Sequence, residues 1–293
     1  MQVLETFQSG AWHGPFSGEE QERALEALER GRILYFPRLA FFFREAETPF
    51  LSPAWSDGRS KNISFEPQRG TLQGATVTDP DILRTFQAMM ARYAAAARCL
   101  LELLLPSYSA FLDQARTSFR PLDIAHRETS YRKDDQRLHT DAFPSRPTRG
   151  ARILRVFTNI NPLGVDRIWR VGEPFESYAR KFLPSVSRPL PGQAWLLARL
   201  RITKSRRSPY DHVMLQLHDR VKRDVRYQQE APQVRLAFPP GSTWVVFTDQ
   251  VLHAAMAGQH LFEQTFHLPV AAQRRPALSP LKTLERLSGR TLV

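Results

Sequence analysis

Among the residues able to do chemistry, His139-Thr140-Asp141 stands out, because period-2 spacing on an extended chain turns both end side chains to one face. A second histidine from a distant strand would complete a face of two imidazoles and one carboxylate. Such a face leaves coordination positions open for a chelating cosubstrate and oxygen, as non-haem iron(II) oxygenases require. Alone, His-x-Asp is weak: with 8 histidines and 13 aspartates in 293 residues it arises by chance roughly one time in three. The surroundings of His253 strengthen it. Pro240-Gly241 makes a turn, residues 242–247 (STWVVF) an apolar strand, and Thr248-Asp249 a polar break that leads to His253. His253 taken by itself would be a buried structural histidine; taken with His139 and Asp141 it is the third metal ligand. His126-Arg127-Glu128 is a rival pair, ranked lower because no strand carrying basic residues follows it directly. His13, His212, His218, His260 and His267 show no ligand spacing to one another, and His218-Asp219 is expected to be a helix-surface pair.

The elements that must position these residues follow from periodicity. Residues 18–30 (GEEQERALEALER) predict a short amphipathic helix with acidic residues in its first turn. RILYFP is a strand stopped by Pro37. Asp79-Pro80 opens the longest helix, which runs with helical apolar spacing to Leu105, where Pro106 ends it; its place is beneath a sheet. From about Arg116 the texture becomes short strands broken by proline, glycine and asparagine: ARILRVFTNINP, RLAFPPGSTWVVF and EQTFHLPV. Residues 172–183 and 210–223 predict helices inserted between them. The expectation is an α+β fold in one domain over 1–293. It comprises a helical support region (1–115), a catalytic core (116–272) built as a double-stranded β-helix, or cupin-like jelly-roll barrel, and a C-terminal tail (273–293).

Composition narrows the partners. The formal net charge is +12, and 35 of the 41 basic residues are arginine, which forms forked pairs with carboxylate and phosphate. Nucleic acid fits poorly, since the basic residues are scattered and no zinc-finger, RNP or helix-turn-helix signature occurs. The densest cluster (Arg199, Arg201, Lys204, Arg206, Arg207) suits a solvated face, with an anionic small substrate or anionic membrane surface as the sharper alternatives. Cys99, the single cysteine, excludes an intramolecular disulfide and is expected to be a small buried hydrophobe. No signal-peptide pattern opens the chain and no apolar run is long enough to span a bilayer, which suggests a cytoplasmic protein.

The run from the turn at Pro240-Gly241 to His253 resembles the distal metal-ligand strand of 2-oxoglutarate dioxygenases. That resemblance implies a cation for the far carboxylate of 2-oxoglutarate. In many relatives it lies about ten residues past the distal histidine, but here Gln264 holds that place, and no arginine or lysine occurs between His253 and Arg274. Other branches carry it on the strand after His-x-Asp, where Arg155 and Arg152 lie. Period 2 groups Arg155 with Phe157, Asn159 and Asn161, and Arg152 with Leu154 and Val156. Arg155 is preferred, with Arg152 the alternative and a surface arginine at a strand end the bland account. Tyr131 stands where relatives keep a tyrosine facing the same carboxylate.

More specifically, HTDAFPSRPTRGARILRVFTNINP, with ETSYRKDDQRLHTD, MLQLHD and PPGSTWVVFTDQVLHAAMAGQ, resembles the bacterial Kdo hydroxylase family, most strongly over 119–270. The resemblance implies iron(II) held by His139, Asp141 and His253, with 2-oxoglutarate and oxygen consumed. It also implies hydroxylation of C3 of 3-deoxy-D-manno-oct-2-ulosonic acid (Kdo) in Kdo-lipid A, at the anionic inner-membrane surface. Arg127 and Arg132 are candidates for the substrate mouth. The rival functions are a dioxygenase acting on another anionic small molecule or peptide, and a barrel that binds anionic lipid without catalysis.

Overall fold

A computed structural model of the chain describes residues 2–123 and 130–293. The elements in chain order are β1 (Leu4–Thr6), α1 (Gly18–Glu29), β2 (Ile33–Phe36), β3 (Ile63–Glu66), β4 (Thr71–Gln73), α2 (Pro80–Leu104), β5 (Asp113–Arg120), β6 (Arg152–Asn159), β7 (Arg167–Val171), α3 (Phe175–Phe182), α4 (Gln193–Arg199), α5 (Pro209–Arg223), α6 (Val225–Glu230), β8 (Val234–Phe238), β9 (Thr243–Phe247), β10 (His253–Ala257), β11 (Leu261–Leu268) and α7 (Pro280–Ser288). Eight strands form one sheet in the order β1-β2-β9-β6-β11-β5-β3-β4, antiparallel except for the β1–β2 pair. Three form a smaller antiparallel sheet, β10-β7-β8.

The helices that periodicity located form where expected, and their ends have local causes. Ser17 caps α1 in a capping box with Glu20, and Asp79 caps α2 by accepting from Asp81 and Ile82 ahead of Pro80 at the first turn. The apolar face of α2 then packs on the large sheet: the Tyr93 ring stacks on Phe262 at 4.6 Å, and Phe86, Met89, Leu100 and Leu104 join Leu154, Val156 and Phe266 in one core. The helical support is therefore as expected and RILYFP forms β2 as expected, yet the first 115 residues also contribute β1, β3 and β4 to the large sheet. These strands are three or four residues long, too short for alternation to stand out. Cys99 is half-buried rather than buried, with Sγ 3.3 Å from His13 Nδ1.

The order of strands moves the chain between the sheets at the places that matter. After Pro240-Gly241, with Gly241 at φ 80°, β9 runs as a fully buried central strand beside β6. A turn over 248–250 then hands the chain to β10 in the small sheet, and β10 begins at His253. Two further apolar cores flank the sheets. One holds Phe157, Trp169, Trp244 and Phe238; the other packs α3, α5 and α7 around Leu138 and Leu252. The sheets so described are not closed into a ring.

Candidate metal centre

His139, Asp141 and His253 come together, each offering a ligand atom within 4.8 Å of the others. His139 and Asp141 do not lie in a regular strand. Instead His139 makes a single antiparallel bridge to His253, with N–H···O contacts of 2.9 Å in both directions, and the Asp141 amide donates to the Thr248 carbonyl at 2.8 Å. The turn between β9 and β10 therefore ties both ends of the site. Each histidine donates from Nδ1 to the carbonyl two residues before it, His139 to Arg137 at 2.7 Å and His253 to Val251 at 2.8 Å. A carbonyl can only accept, so the proton sits on Nδ1 and the Nε2 lone pair of each ring is left for a metal. Trp169 stacks on His253 at 5.0 Å and 22°, which fixes that ring.

The protonation states suit a divalent cation. Burial, aided by the positive charge of Lys222, pushes His139 well below its ordinary value, and burial also lowers His253. Burial works against ionising Asp141, but the Arg155 guanidinium outweighs it and holds its carboxyl well below the usual carboxylate range. Neutral imidazoles and an ionised carboxylate are the forms that bind metal.

A cavity of about 920 Å³ opens on this face. Its described lining carries ten basic side chains against four acidic ones, so an anion entering it gains from the net positive field. Arg155 sits on the metal side, Nη2 3.1 Å from Asp141 Oδ2 and Nη1 3.0 Å from Glu263 Oε1. Arg152 projects the other way. It is fully buried, pairs with Asp249 at 2.7 Å and stacks on Phe247 at 3.7 Å. Phe157 shares the cavity with Arg155, while Asn159 and Asn161 bond loop carbonyls beyond it. Gln264 is buried on the opposite face of β11, bonded to Thr117. Tyr131 is not among the residues lining the cavity; its ring lies beside the Arg132 guanidinium. Arg132 does line it and pairs with Asp219 at 2.9 Å. His126, Arg127 and Glu128 lie outside the described residues.

Several cavity residues were not singled out from the sequence. Glu263 faces inward from β11 and pairs with both Arg120 and Arg155. Arg167 and Trp169 enter from β7, and α5 contributes Lys222 and His218. His218 pairs with Asp219 on α5 at 3.1 Å as expected, but its ring turns to the cavity rather than to solvent, packing edge-on at 5.3 Å from His139. Burial lowers Arg167 to about 9 and Lys222 to about 8. Arg120 Nε, Arg155 Nε, Arg167 Nε and Trp169 Nε1 are buried N–H donors that meet no acceptor among the described residues. Buried donors without partners are costly, so this set is prepared for acceptor oxygens that a ligand would bring.

Comparison with known proteins agrees with that geometry. The family model described as 3-deoxy-D-manno-oct-2-ulosonic acid (Kdo) hydroxylase matches residues 11–291. The crystal structure of the Kdo hydroxylase KdoO, a non-heme Fe(II) alphaketoglutarate-dependent dioxygenase, in complex with alphaketoglutarate and Fe(III), matches with TM-score 0.96 and 51% identity, covering 100% of this chain and 98% of that one. Its cobalt(II) complex matches over the same shares at 51% identity, with TM-score 0.97. No curated protein matches the chain.

Proposed function

Because this chain belongs to the Kdo hydroxylase family, we propose that it uses iron(II), 2-oxoglutarate and oxygen to hydroxylate C3 of Kdo in the inner core of lipopolysaccharide. One observation carries the reading: His139, Asp141 and His253 converge, in metal-binding protonation states, on one side of a strongly cationic cavity. When bound, the iron with its cosubstrate supplies the oxidation that replaces a C–H by C–OH, 2-oxoglutarate leaving as succinate and carbon dioxide.

The protein's part is to hold, orient and keep dry. The Nδ1 bonds to the Arg137 and Val251 carbonyls lock each imidazole with Nε2 toward the metal. Arg155 anchors the far carboxylate of 2-oxoglutarate, with the unpartnered donors of Arg120, Arg167 and Trp169 on the same walls. Glu263 holds Arg120 and Arg155 apart in fixed positions. The remaining cations near the mouth receive the sugar's own carboxylate, which lies beside the carbon to be oxidised. The two sheets serve as facing walls of a double-stranded β-helix; cavity residues drawn from both of them support this architecture. The lipid-linked substrate puts the enzyme peripherally at the anionic inner leaflet, and among the described residues no helix is long and apolar enough to cross a membrane.

The test is succinate release from 2-oxoglutarate with and without Kdo-lipid A, coupled to mass spectrometry of the lipid. The expected product carries one added oxygen. An unmodified lipid, with succinate formed on some other acid, would remove the sugar assignment and leave the iron site standing.

A further inference from the structure

The exposed apolar side chains of this protein are not evenly spread. Of fifteen large ones among the described residues, five fall within thirteen positions: Leu190, Trp195, Leu196, Leu200 and Ile202. They lie on and around α4, whose sequence QAWLLAR buries no residue against the body of the protein. Beneath it runs a groove of about 630 Å³ with Leu190, Leu197 and Val293 in its lining. A helix that shows a tryptophan and leucines to solvent loses apolar burial that folding normally collects, so something outside the chain is needed to cover it.

The charge around it identifies the cover. From Ser177 to Tyr210 there is no Asp or Glu, against eight Lys and Arg. Arg188, Arg199, Arg201, Lys204 and Arg206 are exposed, and none is in an ion pair among the described residues. An apolar ridge with tryptophan, ringed by unpaired arginine and lysine, matches the layered chemistry of an anionic bilayer surface: acyl chains below, lipid phosphates at headgroup level. A protein partner would need acidic groups set among apolar ones over the whole patch, whereas a bilayer offers both layers everywhere.

The patch also adjoins the active site. Lys204 donates its amide to the Ser145 carbonyl at 2.8 Å and Arg207 its guanidinium to the Pro144 carbonyl at 2.6 Å. Pro144 and Arg146 line the cavity that holds the metal ligands. We infer that residues 188–206 form a membrane-docking element, its apolar ridge inserted among the lipids of an anionic leaflet, which sets the cavity mouth beside the bilayer that carries the substrate. The inference rests on the lipid-linked substrate proposed above for its purpose, but not for its observation.

Sedimentation with phosphatidylcholine vesicles, with and without phosphatidylglycerol, tests it across a salt series, using the full chain. The wild type is expected to bind the anionic vesicles, weaken as salt screens the basic ring, and level off at a salt-resistant remainder from the inserted side chains. Trp195→Glu/Leu196→Glu should lower affinity tenfold or more at every salt, and the milder Leu190→Ser/Leu200→Ser should act the same way. Arg199→Gln/Arg201→Gln/Lys204→Gln should reduce binding only at low salt. Turnover on detergent-dispersed substrate is followed in parallel and should be unchanged in all three variants. Wild-type sedimentation by Trp195→Glu/Leu196→Glu overturns the inference, and so does a solution dimer that this variant dissolves. Docking by a wild type that adds no oxygen to Kdo would support the surface and refute the substrate.

Discussion

Arg155→Ala removes a guanidinium that touches a metal ligand, the only one to do so among the described residues. The side chain is only 10% exposed, so its charge is little screened, and it makes ion pairs of 3.1 Å with Asp141 and 3.0 Å with Glu263. Breaking a buried charge pair on one side costs about 3–5 kcal/mol when nothing replaces the lost partner. Here Arg120 and Arg167 still line the same cavity, and Glu263 keeps Arg120, so part of the positive field survives. The expected loss in 2-oxoglutarate affinity is therefore about 2–4 kcal/mol, or roughly 30- to 700-fold in Kd. Calorimetric titration of 2-oxoglutarate into the cobalt(II)-loaded protein measures it without turnover. Arg152→Ala is the control, because it lies one face away and pairs with Asp249 and Gln250. It should cost about 3–5 kcal/mol of folding stability yet leave 2-oxoglutarate affinity within about threefold. Tight cosubstrate binding by Arg155→Ala, together with its loss in folded Arg152→Ala, would refute the assignment of faces along β6.

Three further outcomes are expected. Single alanine variants at His139, Asp141 and His253 should each lose iron binding, read by metal content after desalting, while circular dichroism stays that of the wild type, because the cores do not depend on the metal. Asp135 pairs with Lys61 at 2.7 Å, and although burial opposes its ionisation, Lys61 and Arg120 hold its carboxyl well below the ordinary carboxylate range. A lowered folded-state value means that its stabilisation is present above the unfolded value near 4 and lost as pH falls below it. Metal-free protein should thus lose thermal stability below about pH 4, with a shallower acid slope in Asp135→Asn. Gly258 sits at φ +112° with Arg167 donating to its carbonyl at 2.8 Å, and an added Cβ would lie 2.9 Å from Arg167 Cδ and 3.0 Å from the Asp166 carbonyl oxygen. Gly258→Ala should therefore cost about 1–3 kcal/mol in denaturant unfolding and weaken 2-oxoglutarate binding by displacing Arg167.

Local chemistry made much of this protein readable from its sequence. The acidic first turn of α1, the Asp79-Pro80 start of α2, the proline after it and the turn at Pro240-Gly241 act within a few residues, so they set element ends wherever the rest of the chain goes. The alternation in ARILRVFTNINP separates Arg155 from Arg152 for the same reason: a strand buried on both sides has two faces and no third choice. The partners of those faces were decided only by the tertiary structure. The register that sets Glu263 opposite Phe157 of β6 and Ser118 of β5 turns Glu263 inward and Gln264 to the other face, and neighbouring residues do not encode that register. Trp169 and Arg167 reach the site because β7 lies beside β10, and His218 because an inserted helix folds over the cavity. His218 and Asp219 are adjacent in sequence, yet His139 lies nearly eighty residues away, so no spacing rule joins them. The exposure of α4 was likewise hidden, since WLL is the composition of a core and only the packed chain shows that its apolar side chains are left uncovered.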